Sequence, residues 1–278
     1  MKSGFLIYRF TARGDRTLDE NYQTFLNRVM RQTLPDTYKS QVQHIQESPK
    51  FRLSPDGMWQ PTPFPGYTVI TPTGSEDRKN RDIYTSLKQY QAQIAQTLGS
   101  EMFVPIPSES FHLTIADLIW SDAYLHASET PGFDQQLRDR VANSLRQCQS
   151  IITGQAIRFQ VVGLMVMPRA IAVCLATTDR SGYERILKLR RSIYQNPDLI
   201  EIGIEQQYYF TPHITLGYFG KVPSDLDRDR LSQTFDQLHQ EWLENYPDNE
   251  FWIHQVEFRK FNNMAEYIRE PDWAKFQF

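Results

Sequence analysis

From residue 66 onward the apolar pattern runs strand, helix, strand, helix, strand, and at residue 170 the same order begins again. The first series reads as a strand at 67–70, a helix at 83–98 ended by Gly99, a strand at 111–119, a helix at 133–148 and a strand at 156–167. The second reads as a strand at 171–175, a helix at 183–194, a strand at 209–219, a helix at 226–246 and a strand at 251–261. Helical spans are read from apolar residues at 3.6-residue spacing, such as Ile83, Leu87, Tyr90, Ile94 and Leu98. The repeat is one of topology, not of sequence, as an internal duplication around a pseudo-twofold axis would leave it. Alternating strands and helices also suit a parallel doubly wound sheet. No glycine-rich phosphate loop follows any of the strands, which weakens that version.

The residues ahead of the repeat differ. Thr17-Leu18-Asp19-Glu20 fits a capping box, and Leu18, Tyr22, Phe25, Leu26 and Val29 then recur at helical spacing until Pro35 stops the run. Tyr38, Val42 and Ile45 mark a second short helix, ended by Ser48-Pro49. Ser54-Pro55-Asp56-Gly57 suits a type I turn between two short strands. Three prolines in residues 60–66 then set a boundary. The expected organisation is an N-terminal extension at 1–62, a lid or buttress, and a main domain at 63–278 with pseudo-repeats at about 66–167 and 170–261.

Composition narrows the function. With 40% hydrophobic and 23% charged residues the chain is neither disordered nor fibrous. No apolar run approaches the ~20 residues of a membrane helix. The stretch Gly4 to Tyr8 is cut by Arg9, short of a secretory signal. Two cysteines, Cys148 and Cys174, give no disulfide framework and no Cys-rich metal site, so a cytoplasmic protein is expected. Thirty basic against 33 acidic residues argue against a grip on extended duplex DNA. A small or short anionic substrate stays open, because a cleft can be basic on a near-neutral protein.

The chemistry sits in two matching strands, Phe111-His112-Leu113-Thr114-Ile115 and Pro212-His213-Ile214-Thr215-Leu216. Residues i and i+2 of a strand share a face, so each imidazole stands beside one hydroxyl. From the start of each series to its histidine the spacing is 45 residues (Tyr67 to His112) and 43 residues (Ala170 to His213). Two such platforms facing each other leave two imidazoles around a phosphate-sized gap. One neutral His takes a proton from the attacking group, one protonated His delivers a proton to the leaving oxygen, and the Thr hydroxyls donate to non-bridging oxygens. No metal is required for that set.

A bare His-x-Ser/Thr is weak, since His126-Ala127-Ser128 matches too. A single His on a half-buried strand is usually a core residue; two at matching repeat positions reverse that reading. His44, His126, His239 and His254 show no metal-ligand spacing, and neither a Walker loop nor a nucleophile elbow is present. The basic helix bearing Arg185, Lys188, Arg190 and Arg191 reads as a solvated face, with phosphate steering as the minor alternative. Tyr208, Tyr209 and Phe210 read as strand packing. Tyr218 and Phe219 read as better placed to meet a base.

At these residues the chain resembles the two-histidine (2H) phosphoesterase superfamily. His112-Leu113-Thr114-Ile115 and His213-Ile214-Thr215-Leu216 fit its paired motif position by position, over about residues 66–261. Pro63 to Ile70 together with Ser110-Phe111-His112 is similar to a less characterised, RNA-ligase-like branch. The resemblance implies an α+β, duplicated bilobal fold with two mainly antiparallel sheets around a central cleft and helices outside. It implies His112 and His213 as acid and base, Thr114 and Thr215 as phosphate-binding residues, and no cofactor. Substrates of the superfamily include 2′,3′-cyclic phosphates, 2′-5′ linkages, ADP-ribose cyclic phosphate and RNA 3′ ends. The expected activity is metal-independent hydrolysis of a cyclic nucleotide phosphate or a short RNA end. The alternatives are a non-hydrolytic nucleotide-binding module and an RNA 2′-5′ ligase or end-processing enzyme. An aromatic five residues after the second His contacts substrate in several members, here Tyr218. Simple alternation turns that position away from His213, so the role requires a bulge or strong twist at Gly217.

Overall fold

In a computed structural model the chain is described over residues 18–246 and 249–278. The capping Thr17 lies outside the described residues; helix α1 (Tyr22–Met30) starts behind Asn21, whose side chain accepts from the Thr24 amide at 2.9 Å. Pro35 does not merely end that helix. After a 3₁₀ turn it occupies the first turn of α2 (Pro35–Gln41), where its missing N–H costs nothing. The hairpin forms as expected: β1 (Phe51–Leu53) and β2 (Trp59–Pro61) flank the turn, with Gly57 at φ +82°.

The first sheet orders β11 (Glu266–Ile268), β10 (Gln255–Asn263), β3 (Gly66–Ile70) and β5 (Thr114–Trp120), with β12 (Lys275–Gln277) also on β10. The second orders β4 (Phe103–Pro105), β8 (His213–Phe219), β7 (Ala170–Thr177), β6 (Ile157–Val166) and β9 (Glu250–Ile253). Every pairing in both sheets is antiparallel, which disposes of the doubly wound version. The two halves are exchanged. The order β10-β3-β5 in one sheet matches β6-β7-β8 in the other, so the last strand of each series pairs with the first strand of the opposite series. That exchange knits the halves into one fold.

The single strand expected at 251–261 is two strands in different sheets, broken at His254. The burial phase shows why: Phe251 and Ile253 point into one core, then Val256 and Phe258 into the other, a slip of one in the two-residue period. Helices α3 (Arg81–Leu98) and α8 (Arg228–Asn245) pack together over the second sheet, with the Tyr90 hydroxyl donating to the Leu238 carbonyl at 3.0 Å. Their counterparts α5 (Phe133–Arg146) and α6 (Arg180–Tyr194) pack together beside the first. Short helices α4 (Ser121–Ser128) and α7 (Pro197–Glu201) are additions that the periodicity did not announce. Among the described residues no helix is long and apolar enough to cross a membrane, and both cysteines are free and buried.

The N-terminal segment is built into the second half. Phe25 stacks on Tyr183 of α6 at 4.4 Å, and the Tyr38 hydroxyl donates to the Leu164 carbonyl of β6 at 2.6 Å. The amides of Gln46 and Ser48 then donate to the carbonyls of Pro168 and Phe219.

Candidate active site

Each histidine of the repeated motif is fixed in the same way. His112 Nδ1 lies 2.7 Å from the Ser110 carbonyl and His213 Nδ1 lies 2.8 Å from the Thr211 carbonyl, two residues upstream in both cases. A carbonyl only accepts, so Nδ1 carries the proton and Nε2 is left free to exchange one. His112 lies just ahead of its strand, which begins at Thr114 rather than at residue 111; the Leu113 amide and carbonyl are held by Thr71. His213 opens β8. Both imidazoles are partly exposed, and so are Thr114 and Thr215. Burial pushes the His112 imidazole down to about 4, against its carbonyl hydrogen bond, with the charges of His213 and Arg259 adding to the push. The charge of His213 reaches His112, so the two imidazoles lie near one another.

Both motif strands bulge one residue past the threonine. In β8, Cys174, Ala172 and Ala170 of β7 oppose His213, Thr215 and Tyr218, leaving Leu216 as the extra residue. Alternate residues of β7 share a face, so His213, Thr215 and Tyr218 share one as well. The bulge falls at Leu216, one residue before the Gly217 where it was expected, and it brings Tyr218 to the His213 face. In β5 the partners Ile70 and Thr68 of β3 oppose Thr114 and Asp117, with Ile115 as the extra residue. Asp117 therefore stands where Tyr218 stands, five residues after its histidine. Sequence reading missed it, although the equal offset in the two motifs was the signal.

A bulge frees a backbone carbonyl, and a buried one needs a donor. The Leu216 carbonyl accepts from the Ile106 amide at 3.1 Å and from Gln91 of α3 at 2.6 Å, and the Ile115 carbonyl accepts from Arg190 of α6. Each helix of one series serves the bulge of the other. Arg190 is thus not on a solvated face: at 3% exposure it clamps Ile115 and the Tyr208 carbonyl. Arg185 is half-buried and donates to the carbonyls of Ile151 and Gln155, while Lys188 and Arg191, the latter paired with Asp19, are exposed and match the solvated reading.

The aromatic residues divide: Phe210 is buried and stacks on Phe25, in keeping with a packing role. Tyr208 and Tyr209 lie outside β8, in the approach to it, at 45% and 42% exposure, and the Tyr208 hydroxyl donates to the Asp117 carboxylate. Phe219 is fully buried and Tyr218 is 7% exposed, its ring faced by Lys50 and Phe51. Tyr267, on the β11 edge, packs against the His112 ring at 4.2 Å between centroids. Arg259, held by Glu257 and Glu76, donates to the Tyr267 carbonyl at 3.1 Å and so fixes that strand behind His112. Nothing in the local sequence pattern pointed to Tyr267, which arrives through the last hairpin. Among the described residues no three His, Cys, Asp or Glu side chains converge as metal ligands.

Residues 52–168 match the family 2H-phosphodiest, described as a domain of unknown function (DUF1868). That stretch, less than half of the chain, is similar to two-histidine phosphodiesterases. The matched stretch holds the first motif, His112 to Ile115, and the 2H reading of the second motif rests on its equivalent place in the fold. A conserved protein of unknown function from Agrobacterium tumefaciens is similar in structure, at 17% identity and a TM-score of 0.53, over 84% of this chain and 96% of that one. LigT of E. coli, crystallised with 3′-AMP, aligns at 12% identity and a TM-score of 0.41 over 78% of this chain and 98% of its own. Usb1 of Kluyveromyces marxianus aligns at 10% identity and 0.42 over 77% and 98%. No curated protein matches by sequence.

Proposed function

We propose that the protein is a metal-independent phosphodiesterase acting on a 2′,3′-cyclic nucleotide phosphate or a short RNA end. The matched pair of Nδ1–carbonyl bonds carries this reading, because it leaves two free Nε2 atoms at one site. His112, held neutral by burial, takes the proton of the attacking water. His213 then hands a proton to the departing sugar oxygen. Thr114 and Thr215, whose hydroxyls are free of protein partners among the described residues, donate to the non-bridging oxygens as charge grows there. Tyr218 borders the same cleft face and supports substrate there through its edge, since Lys50 and Phe51 cover its ring. Residues 18–62 serve as a buttress. Arg28 of α1 donates to the Thr211 hydroxyl at 2.6 Å and the Phe210 carbonyl at 2.7 Å, beside the carbonyl that holds His213.

The test is chromatography of 2′,3′-cyclic mononucleotides and short cyclic-phosphate-ended RNAs in excess EDTA. Turnover that survives EDTA supports the reading, and turnover abolished by EDTA overturns it. LigT, which is known with 3′-AMP bound, gives the comparison for the product side.

A pH profile tests the base. The His112 pKa is lowered, so its neutral form prevails above about 4 and the acid limb of kcat/KM falls near pH 4 instead of 6.5. The two rings titrate as a pair, so that limb is a property of both. The same shift means that the unfolded chain binds more protons between pH 6.5 and 4, so stability declines with falling pH across this window. Thermal melts at each pH separate that decline from loss of catalysis. A limb centred at 6.5 in the intact fold would count against His112 as the buried base.

A further inference from the structure

We propose that Lys50, brought in by the N-terminal segment, forms a second phosphate-binding subsite of the cleft, one that takes a phosphate other than the one between the histidines. This rests on the phosphoesterase reading and adds a substrate class to it: nucleotides or RNA ends that carry a further phosphate on the 5′ side. The Lys50 ammonium sits 4.5 Å from the Phe64 ring and 5.2 Å from the Tyr218 ring, and its hydrogen bond goes to the Met264 thioether at 3.3 Å. Thioether sulfur is a weak acceptor, while an ammonium has three donors to place. Among the described residues no carboxylate lies within ion-pair distance of it; Asp117, the acid that acts on it electrostatically, is already bonded by Tyr208. The group is partly exposed rather than sealed. An ammonium kept in so apolar a cage, with donors unspent, is ready for an anionic oxygen. Burial lowers its pKa to about 8, so it remains largely charged at neutral pH.

Its place along the cleft separates it from the reacting phosphate. Tyr218 lies five residues beyond His213 on the same strand, about 15 Å of extended backbone. From the other side, Met264 is the neighbour of Tyr267 (hydroxyl to sulfur 4.0 Å), and Tyr267 is the ring packed on His112. Lys50 is thus reached from His112 through two intervening side chains. Its anchoring is firm: the Lys50 carbonyl accepts from the Thr62 amide at 2.9 Å, and the neighbouring Ser48 amide donates to Phe219. A substrate with its 3′-phosphate between the histidines would run its 5′ side toward this ammonium.

Calorimetric binding tests this without requiring turnover. The probes are 3′-AMP, adenosine 3′,5′-bisphosphate and the dinucleotide ApAp, titrated into wild type, Lys50→Met and Lys50→Arg. Wild type binds one or both of the 5′-side phosphate probes at least 10-fold tighter than 3′-AMP. A gain with the bisphosphate identifies a terminal phosphate, and a gain confined to ApAp identifies an internucleotide one. Lys50→Met, checked for an unchanged melting temperature, loses the preference, and Lys50→Arg keeps part of it. Equal affinity of wild type for all three probes overturns the subsite whether or not the variants fold. So does a preference that survives in Lys50→Met. If the preference follows Lys50 while no cyclic phosphate is hydrolysed, the subsite stands and the catalytic reading fails. Hydrolysis without the preference leaves the catalytic reading standing and removes the subsite.

Discussion

His112→Ala and His213→Ala each lower turnover of the cyclic phosphate by about 10²–10⁴, the usual contribution of a positioned general acid or base. The two losses do not add in the double variant, because once one proton transfer is gone the other group has less to act upon. The more telling substitution is His→Asn. An asparagine amide can still donate to the carbonyl of Ser110 or Thr211, so the local fold is kept while the titrating Nε2 is removed. Asn variants as inactive as the Ala ones, with melting temperatures within a few degrees of wild type, assign the loss to proton transfer. Rates within a few-fold of wild type in both folded Ala variants would falsify the two-histidine mechanism. Phosphate binding by calorimetry should weaken far less than turnover, since the threonines remain.

Gly217→Val has a large expected effect on the fold. A Cβ at Gly217 would stand 2.5 Å from two atoms of the Phe103 ring and 2.6 Å from the Val104 carbonyl, far inside contact distance. Phe103 and Val104 belong to β4, which pairs with β8 through Pro105 and Gly217, so backbone as well as side chain has to shift. Overpacking of this kind costs about 1–3 kcal/mol. At roughly 2–4 °C per kcal/mol in a chain of this size, the melting temperature falls by about 5–10 °C. Gly217 also follows the bulged Leu216, so the strain is felt at Tyr218 and in the Gln91 bond to the Leu216 carbonyl. Gly217→Ala, with two fewer methyl groups to place, should lose less. A valine variant melting with wild type would show that β4 is free to move and that the bulge is not locked.

The histidine pair was legible in the sequence for a definite reason. Strand geometry repeats every two residues, so His-x-Thr fixes an imidazole and a hydroxyl on one face wherever it is extended, and the near-equal offsets from the series starts mark the duplication. The basic helix misled for an equally definite reason. Arg190 belongs to a run of charged residues, and nothing local says that a carbonyl 75 residues away needs its guanidinium. Tyr208 and Tyr209 stand exposed outside the strand because β8 begins at His213, four residues later than β-propensity placed it. The split at His254 was written in the apolar phase; its consequence, a strand passing from one sheet to the other, was not.

By itself, the sequence determined the local periods: which segments coil, which extend, and which side chains share a face with each histidine. Tertiary structure alone decided the long-range partners. The exchange of last strands between the halves, the bulges that set Asp117 and Tyr218 on the face of their motif threonines, and the arrival of Lys50 and Tyr267 from opposite ends of the chain belong to that second class. Periodicity is a property of neighbours along the backbone. The carbonyls at the bulges, buried in the fold, take donors such as Gln91 and Arg190 from distant helices, and that meeting is fixed by packing.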